Sequence, residues 1–225
     1  MLLPLEGPPS SATVFGVILN DQESVTQLQN EFDQVPYKAA PQAPILYIKP
    51  ANTWVSSGAN IMLPQGEQSV EVGATMGIVM GRDAARVTPE TASDYISGYT
   101  LVADLSLPHV SYYRPAVREK CFDDSCVFGA FVPASSLSEL SDVSLQITVD
   151  QVQKGSRTFT DLLRNVPQLL ADISEFMTLR AGDILLVGVK FQAVQAMVGS
   201  RVQITGSQVG AIEFTLRAFD KEVQA

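Results

Sequence analysis

The groups in this chain able to do acid–base or electrostatic work are few and scattered. Lys49 closes an apolar run and is followed by Pro50, and Asp104 stands in Ala103-Asp-Leu-Ser106. Arg114 and Lys120 lie between Leu107 and Val132, a stretch that reads as long and irregular and also holds Tyr112, Tyr113, Asp123 and Asp124. Loops this dense in polar and aromatic groups are often functional. A lysine beside an anion site stabilises developing negative charge. Lys120 fits that role, and Lys49 and Arg114 could meet substrate carboxylates. The plainer reading is ion pairing: Lys120 with Asp104, Asp123 or Asp124, and Lys49 and Arg114 at the surface or an interface.

Other chemistries are poorly served. The only histidine, His109, has no evident triad partner and reads as a loop or surface residue. Cys121 and Cys126, with one distant histidine, cannot complete a four-ligand zinc site. They read as reduced thiols, with a disulfide as the alternative. There is no phosphate-cradling glycine loop and no Gly-x-Ser-x-Gly elbow.

A chain of 225 residues, 46% of them hydrophobic, can bury one substantial core. The reading is an irregular lead-in over 1–12 and a single domain over 13–225. A formal net charge of −9 argues against nucleic acid or an anionic membrane as partner. No apolar stretch approaches the ~20 residues of a membrane span, so a soluble, cytoplasmic protein is expected.

Most of the secondary structure that carries these groups reads as strand. Thr13–Leu19, Ile45–Ile48, Tyr99–Ser106, Ile184–Val189, Arg201–Thr205 and Ala211–Leu216 read as strands, and Val143–Val149 alternates cleanly. Ser69–Gly81 reads as a strand pair or one bent strand, with Gly73 and Gly77 suggesting a bulge. Asn20 and Asp21 offer caps for a helix carrying Val25, Leu28 and Phe32. Thr88-Pro-Glu90 reads as the start of a helix reaching Gly98. Asn165–Leu179 reads as a helix with Leu169, Leu170, Ile173 and Phe176 as its apolar stripe. Roughly nine strands and three helices, without regular alternation, imply a β-rich α+β fold.

The order of short motifs is more specific than any one of them. Asn20 follows a strand, then come Lys49-Pro50, a strand ending Gly77-Ile-Val-Met-Gly81, Tyr95-Ile-Ser-Gly-Tyr-Thr100, Ala103-Asp-Leu-Ser106, Lys120-Cys-Phe-Asp123, Phe176-Met-Thr-Leu179 and Gly182-Asp-Ile184. From about Thr13 to Leu216 this resembles the fumarylacetoacetate hydrolase family. Ile48-Lys-Pro-Ala-Asn-Thr53, Pro64-Gln-Gly-Glu67, Gly73-Ala-Thr75 and Tyr113-Arg-Pro-Ala116 are similar to the first half of its two-halved isomerase/decarboxylases. Such enzymes are built from two homologous halves, fused or separate.

The resemblance implies a mixed β-sandwich or roll with a few short helices. It also implies a divalent cation, Mg²⁺ or Mn²⁺, held by a Glu-x-Glu pair on one strand and an aspartate from the next. Residues two apart on a strand share a face, so two such carboxylates can share an ion, which then acts as a Lewis acid toward an enolate. Here the Glu-x-Glu positions fall on Gly73 and Thr75, and only Asp104 matches a ligand. These three are vestigial metal positions, with Glu71 a possible substitute if a glycine bulge slides it toward Asp104. The family's early histidine is unmatched in Asn20-Asp-Gln-Glu23, and its late Thr-Gly-Thr reads Val187-Gly-Val189.

The expectation is therefore a metal-free subunit of a complex that decarboxylates 5-oxopent-3-ene-1,2,5-tricarboxylate and isomerises 2-hydroxyhepta-2,4-diene-1,7-dioate in homoprotocatechuate catabolism. Its partner would be a homologous metal-bearing subunit, or copies of itself. The alternatives are an independent enzyme acting on a small keto-dicarboxylate, and a non-catalytic scaffold.

Overall fold

The computed structural model describes residues 8–109 and 115–220. In chain order the elements are β1 (Val14–Ile18), α1 (Gln22–Phe32), β2 (Ile45–Lys49), β3 (Trp54–Ser56), β4 (Asn60–Met62), β5 (Ser69–Met80), β6 (Ile96–Ser106), α2 (Val117–Lys120), β7 (Cys126–Pro133), β8 (Ser144–Val149), β9 (Val152–Thr158), α3 (Val166–Ser174), β10 (Ile184–Leu186), β11 (Val194–Met197), β12 (Arg201–Gly206) and β13 (Gly210–Arg217). The larger sheet runs β2-β1-β10-β5-β6-β7-β3, with β11 paired to the start of β5. The smaller runs β4-β13-β12-β8-β9. The expected α+β class and mixed β architecture hold.

Strand periodicity places the core. On β5 the even-numbered residues Val70, Val72, Ala74, Met76 and Ile78 face the smaller sheet, where Leu145, Ile147, Ile204, Ile212 and Phe214 meet them in one buried cluster. The odd-numbered face of β5 looks the other way. There Val79 joins Val14, Val102, Cys126, Phe128, Ile184 and Leu186 in a second, smaller cluster. The larger sheet rolls around this second face. Three strands separate β2 from β6, yet Tyr47 of β2 touches Asp104 of β6. Gly16 of β1 permits that closure: opposite Tyr47 in register, it leaves the place of a Cβ to the phenol ring, whose nearest atom would lie 2.0 Å away.

Two helices follow the sequence signals. Asp21 caps α1, its side chain accepting from the Ser24 amide at 2.9 Å. Asn20 instead ties down the Arg164 backbone, accepting from its N–H and donating to its C=O, and donates to Val187 O. Asn165 caps α3 through the Gln168 amide. That helix ends at Ser174, short of the expected Leu179, and Phe176 is exposed rather than part of the stripe.

Other expectations are corrected. No α-helix follows Thr88; the Thr88 amide donates to the Thr91 hydroxyl and a single 3-10 turn spans Ala92–Tyr95 before β6 begins. Side-chain capping of this kind competes with helix propagation. The stretch Leu107–Val132 is not irregular throughout, since it carries α2 and the first part of β7. β5 is one strand whose register with β6 is continuous from Glu71 to Val79, so the expected bulge at Gly73 or Gly77 is absent and the only shift falls at Val79/Met80. The short strands β3, β4, β9 and β11 had no separate sequence signal.

Candidate functional site

Asp104 sits where three central strands converge, opposite Gly73 on β5 and Cys126 on β7. It is 1% exposed. An isolated carboxylate there would be very costly, so its partners decide its state. Lys49 Nζ lies 3.0 Å from Oδ1 and Lys120 Nζ lies 3.2 Å from Oδ2. Tyr47 Oη donates to Oδ2 as well. Burial pushes the Asp104 carboxyl up, but the Lys120 and Lys49 ammoniums and the Tyr47 phenol outweigh it and hold it at about 2.

Each cation has further anchors. Lys49 is fully buried and donates to Leu105 O at 3.1 Å, to Ser125 Oγ at 3.0 Å and to Lys120 O. The sequence placed it at the surface or an interface; the alternation of β2 instead aims Tyr47 and Lys49 together into the roll. Lys120 comes from the end of α2 and lies 4.6 Å from the centre of the Tyr47 ring. It pairs with Asp104 and not with Asp123, which accepts from Asn52 Nδ2 at 2.7 Å. Arg114 lies outside the described residues.

The two other vestigial positions are closed. A Cβ on Gly73 would come within 2.6 Å of Val189 Cγ1 and 2.7 Å of Asp104 O. Valine at 189 thus fills the space that a side chain at 73 would need. Thr75 is fully buried and its hydroxyl donates to Gly188 O at 2.7 Å. Glu71 lies on the same face, one pleat earlier, opposite Ser106. Burial raises its carboxyl, against the opposing pull of His109 and Lys120. Two residues along a strand span roughly 6.6 Å, so Glu71 borders the cluster rather than completing it. Among the described residues, no three His, Cys, Asp or Glu side chains form a group suited to a metal ion.

Two hollows adjoin the cluster. One, of about 600 Å³, is mostly apolar and is lined by Ile45, Tyr47, Ile48, Val117, Lys120 and Cys121. The other, of about 450 Å³, is lined by Glu71, His109, Phe191 and Gln195 among others. His109 Nδ1 is 3.3 Å from Ser106 Oγ and 3.1 Å from Leu107 O. Cys121 and Cys126 are free thiols, and burial pushes both upward, Cys126 strongly. Cys126, fully buried, is the structural kind of thiol, whereas Cys121 is half-buried at the apolar hollow.

Sequence reasoning missed Tyr47 and Ser125, and noted Val189 only as a departure from the family's Thr-Gly-Thr, not as the neighbour of Gly73. Tyr47 was within reach, because a strand residue two before Lys49 must share its face. Ser125 and Val189 act through contacts that only the chain path reveals.

Residues 13–217 match the family model described as fumarylacetoacetate (FAA) hydrolase C-terminal. The chain is 37% identical over 209 residues to the 4-hydroxyphenylacetate degradation bifunctional isomerase/decarboxylase of Salmonella dublin, covering 93% of this chain and 48% of that protein. It is 38% identical over 192 residues to the protein of that name from Escherichia coli, covering 85% and 44%. The chain therefore spans about half the length of the curated relatives it matches. In fold it is similar to 5-carboxymethyl-2-hydroxymuconate delta-isomerase from Mycobacterium smegmatis, with TM-score 0.79, 24% identity, and coverage of 96% of this chain and 83% of that one. No helix among the described residues is long and apolar enough to cross a membrane. By its sequence match over 13–217 and its rolled β architecture, this chain belongs to the fumarylacetoacetate hydrolase family.

Proposed function

We propose that this chain is the metal-free half of a two-subunit isomerase/decarboxylase for small unsaturated di- and tricarboxylates, of the kind met in 4-hydroxyphenylacetate breakdown. The observation that carries the reading is the plug at Gly73. A ligand carboxylate at that position would need the room that Val189 takes. Thr75 spends its hydroxyl on Gly188 O, and Asp104 is engaged at both oxygens by ammonium groups. A divalent ion prefers several oxygen donors in octahedral array, and this donor set does not fit one. The reading gives the reaction to a homologous metal-bearing subunit carrying Mg²⁺ or Mn²⁺, and places both subunits in the cytoplasm. Without that subunit, copies of this chain pair with each other.

Co-expression with a metal-bearing homologous subunit tests this. The two should co-purify, and turnover of 5-oxopent-3-ene-1,2,5-tricarboxylate by the complex should vanish with EDTA and survive Asp104→Asn in this chain. Independent behaviour, with this chain alone turning over substrate and never entering a complex, would end the proposal.

A second reading has one observation in its favour. Lys120 is among the residues that line the apolar hollow, with its ammonium on Asp104 behind the wall. An independent enzyme would use it as the electron sink for a keto-dicarboxylate. Turnover of oxaloacetate by the isolated chain, unchanged by EDTA and lost in Lys120→Met, would select this reading.

A further inference from the structure

Arg157 is a buried cation whose donors are not all spent. It lies on β9 and is 2% exposed. Its Nη1 donates to Asp161 Oδ1 at 3.3 Å, and its guanidinium carbon sits 5.2 Å from the centre of the Phe159 ring. Its Nε and Nη2 are enclosed without an acceptor among the described residues. Enclosed donors of a charged group nearly always have partners. These two N–H groups share one edge of the planar fork, the edge that takes both oxygens of a carboxylate side by side.

Arg157 forms part of the wall of a hollow of about 170 Å³. That is roughly tenfold the space one water needs. The floor is apolar, made by Val72 and Ala74 of β5, Ile147 of β8 and Val194 of β11. Val72 and Ala74 point away from the face that carries Gly73 and Thr75, so the hollow and the Asp104 cluster lie on opposite sides of β5. At the rim Lys190 pairs with Glu23, both partly exposed. Glu23 and Asp161 add two carboxylates near the two cations, which disfavours a multiply charged ligand.

We propose that this hollow binds a small monocarboxylate with a short aliphatic tail. The carboxylate lies on the Nε/Nη2 edge of Arg157 and the tail on Val72, Ile147 and Val194. Both nitrogens are closed off from bulk water and from the hollow alike, so a ligand reaches them when the guanidinium turns toward the hollow, giving up its 3.3 Å ion pair with Asp161. The proposal does not depend on the metal-free reading of Asp104.

The test is a titration of the full chain with butyrate, followed by NMR at the arginine Nε–Hε groups. The signal lost in Arg157→Lys should move saturably, with butyrate bound about tenfold more tightly than phosphate. Contacts between the butyrate methyl and the Val72, Ile147 and Val194 methyls should appear in the wild-type chain, which decides the matter even if Arg157→Lys does not fold. An Nε–Hε signal that butyrate leaves unmoved, as when enclosed water satisfies the guanidinium, overturns the proposal. So does movement by phosphate and butyrate alike without the methyl contacts.

Discussion

Replacing Asp104 by asparagine keeps the shape of the cluster and removes its only anion. Lys49 would retain three oxygen acceptors, from Leu105, Lys120 and Ser125. Lys120 would retain little beyond the face of the Tyr47 ring. Breaking a buried ion pair by removing one partner costs about 3–5 kcal/mol. Because Lys49 stays solvated by the protein, the expected loss is at the lower end, about 3 kcal/mol. The lowering of the Asp104 carboxyl by the same partners points the same way. Its carboxyl is held at about 2 against an ordinary 3.8, a difference equivalent to about 2 kcal/mol between its charged and protonated forms. Protonation and amidation remove the same charge, so both should weaken the fold. Urea unfolding at neutral pH, in EDTA, should show the lower midpoint with an unchanged slope. A loss below about 1 kcal/mol would refute the argument, because the two ammonium groups would then not depend on Asp104.

Three further outcomes follow from the same geometry. The lowered Asp104 carboxyl stabilises the fold fully above its unfolded value of 3.8; that contribution of about 2 kcal/mol should drain away as pH falls toward 2, and the acid limb should lack it in Asp104→Asn. Glu71 has the opposite sign: burial raises its carboxyl, so its charge opposes folding near neutrality, and Glu71→Gln should leave thermal stability unchanged or slightly higher. Gly73→Ala should cost about 1–3 kcal/mol by forcing Val189 aside, and Val189→Ala in the same chain should recover part of it, measured as a double-mutant cycle in urea.

Much of the fold was legible because its signals are local. Alternation marked β8, the Asp21 and Asn165 side chains marked two helix starts, and apolar runs marked β1, β2 and β10. The helix expected after Thr88 failed because a hydroxyl and a proline favour a capped turn as readily as a helix, and too few apolar residues follow to reward the longer element. The strands β3, β4 and β11 are three or four residues long and borrow their order from neighbours, so no periodicity could reveal them. At the candidate site, motif order singled out Asp104, Lys120, Gly73 and Thr75. What it could not give was the fate of Lys49. Its complete burial arises from the roll of the larger sheet, which brings β2 over β6 across three intervening strands. The plug at Gly73 was hidden because Val189 is far from it in sequence and meets it only through the β10–β5 pairing.

The function proposed for this chain rests on its own side chains not holding a divalent ion beside Asp104. Electron paramagnetic resonance of Mn²⁺ titrated into the purified chain tests it most directly. The free-ion spectrum should keep its full intensity as protein is added, with the same result for Asp104→Asn. Stoichiometric loss of the free-ion signal in the wild-type chain, restored in Asp104→Asn, would contradict it.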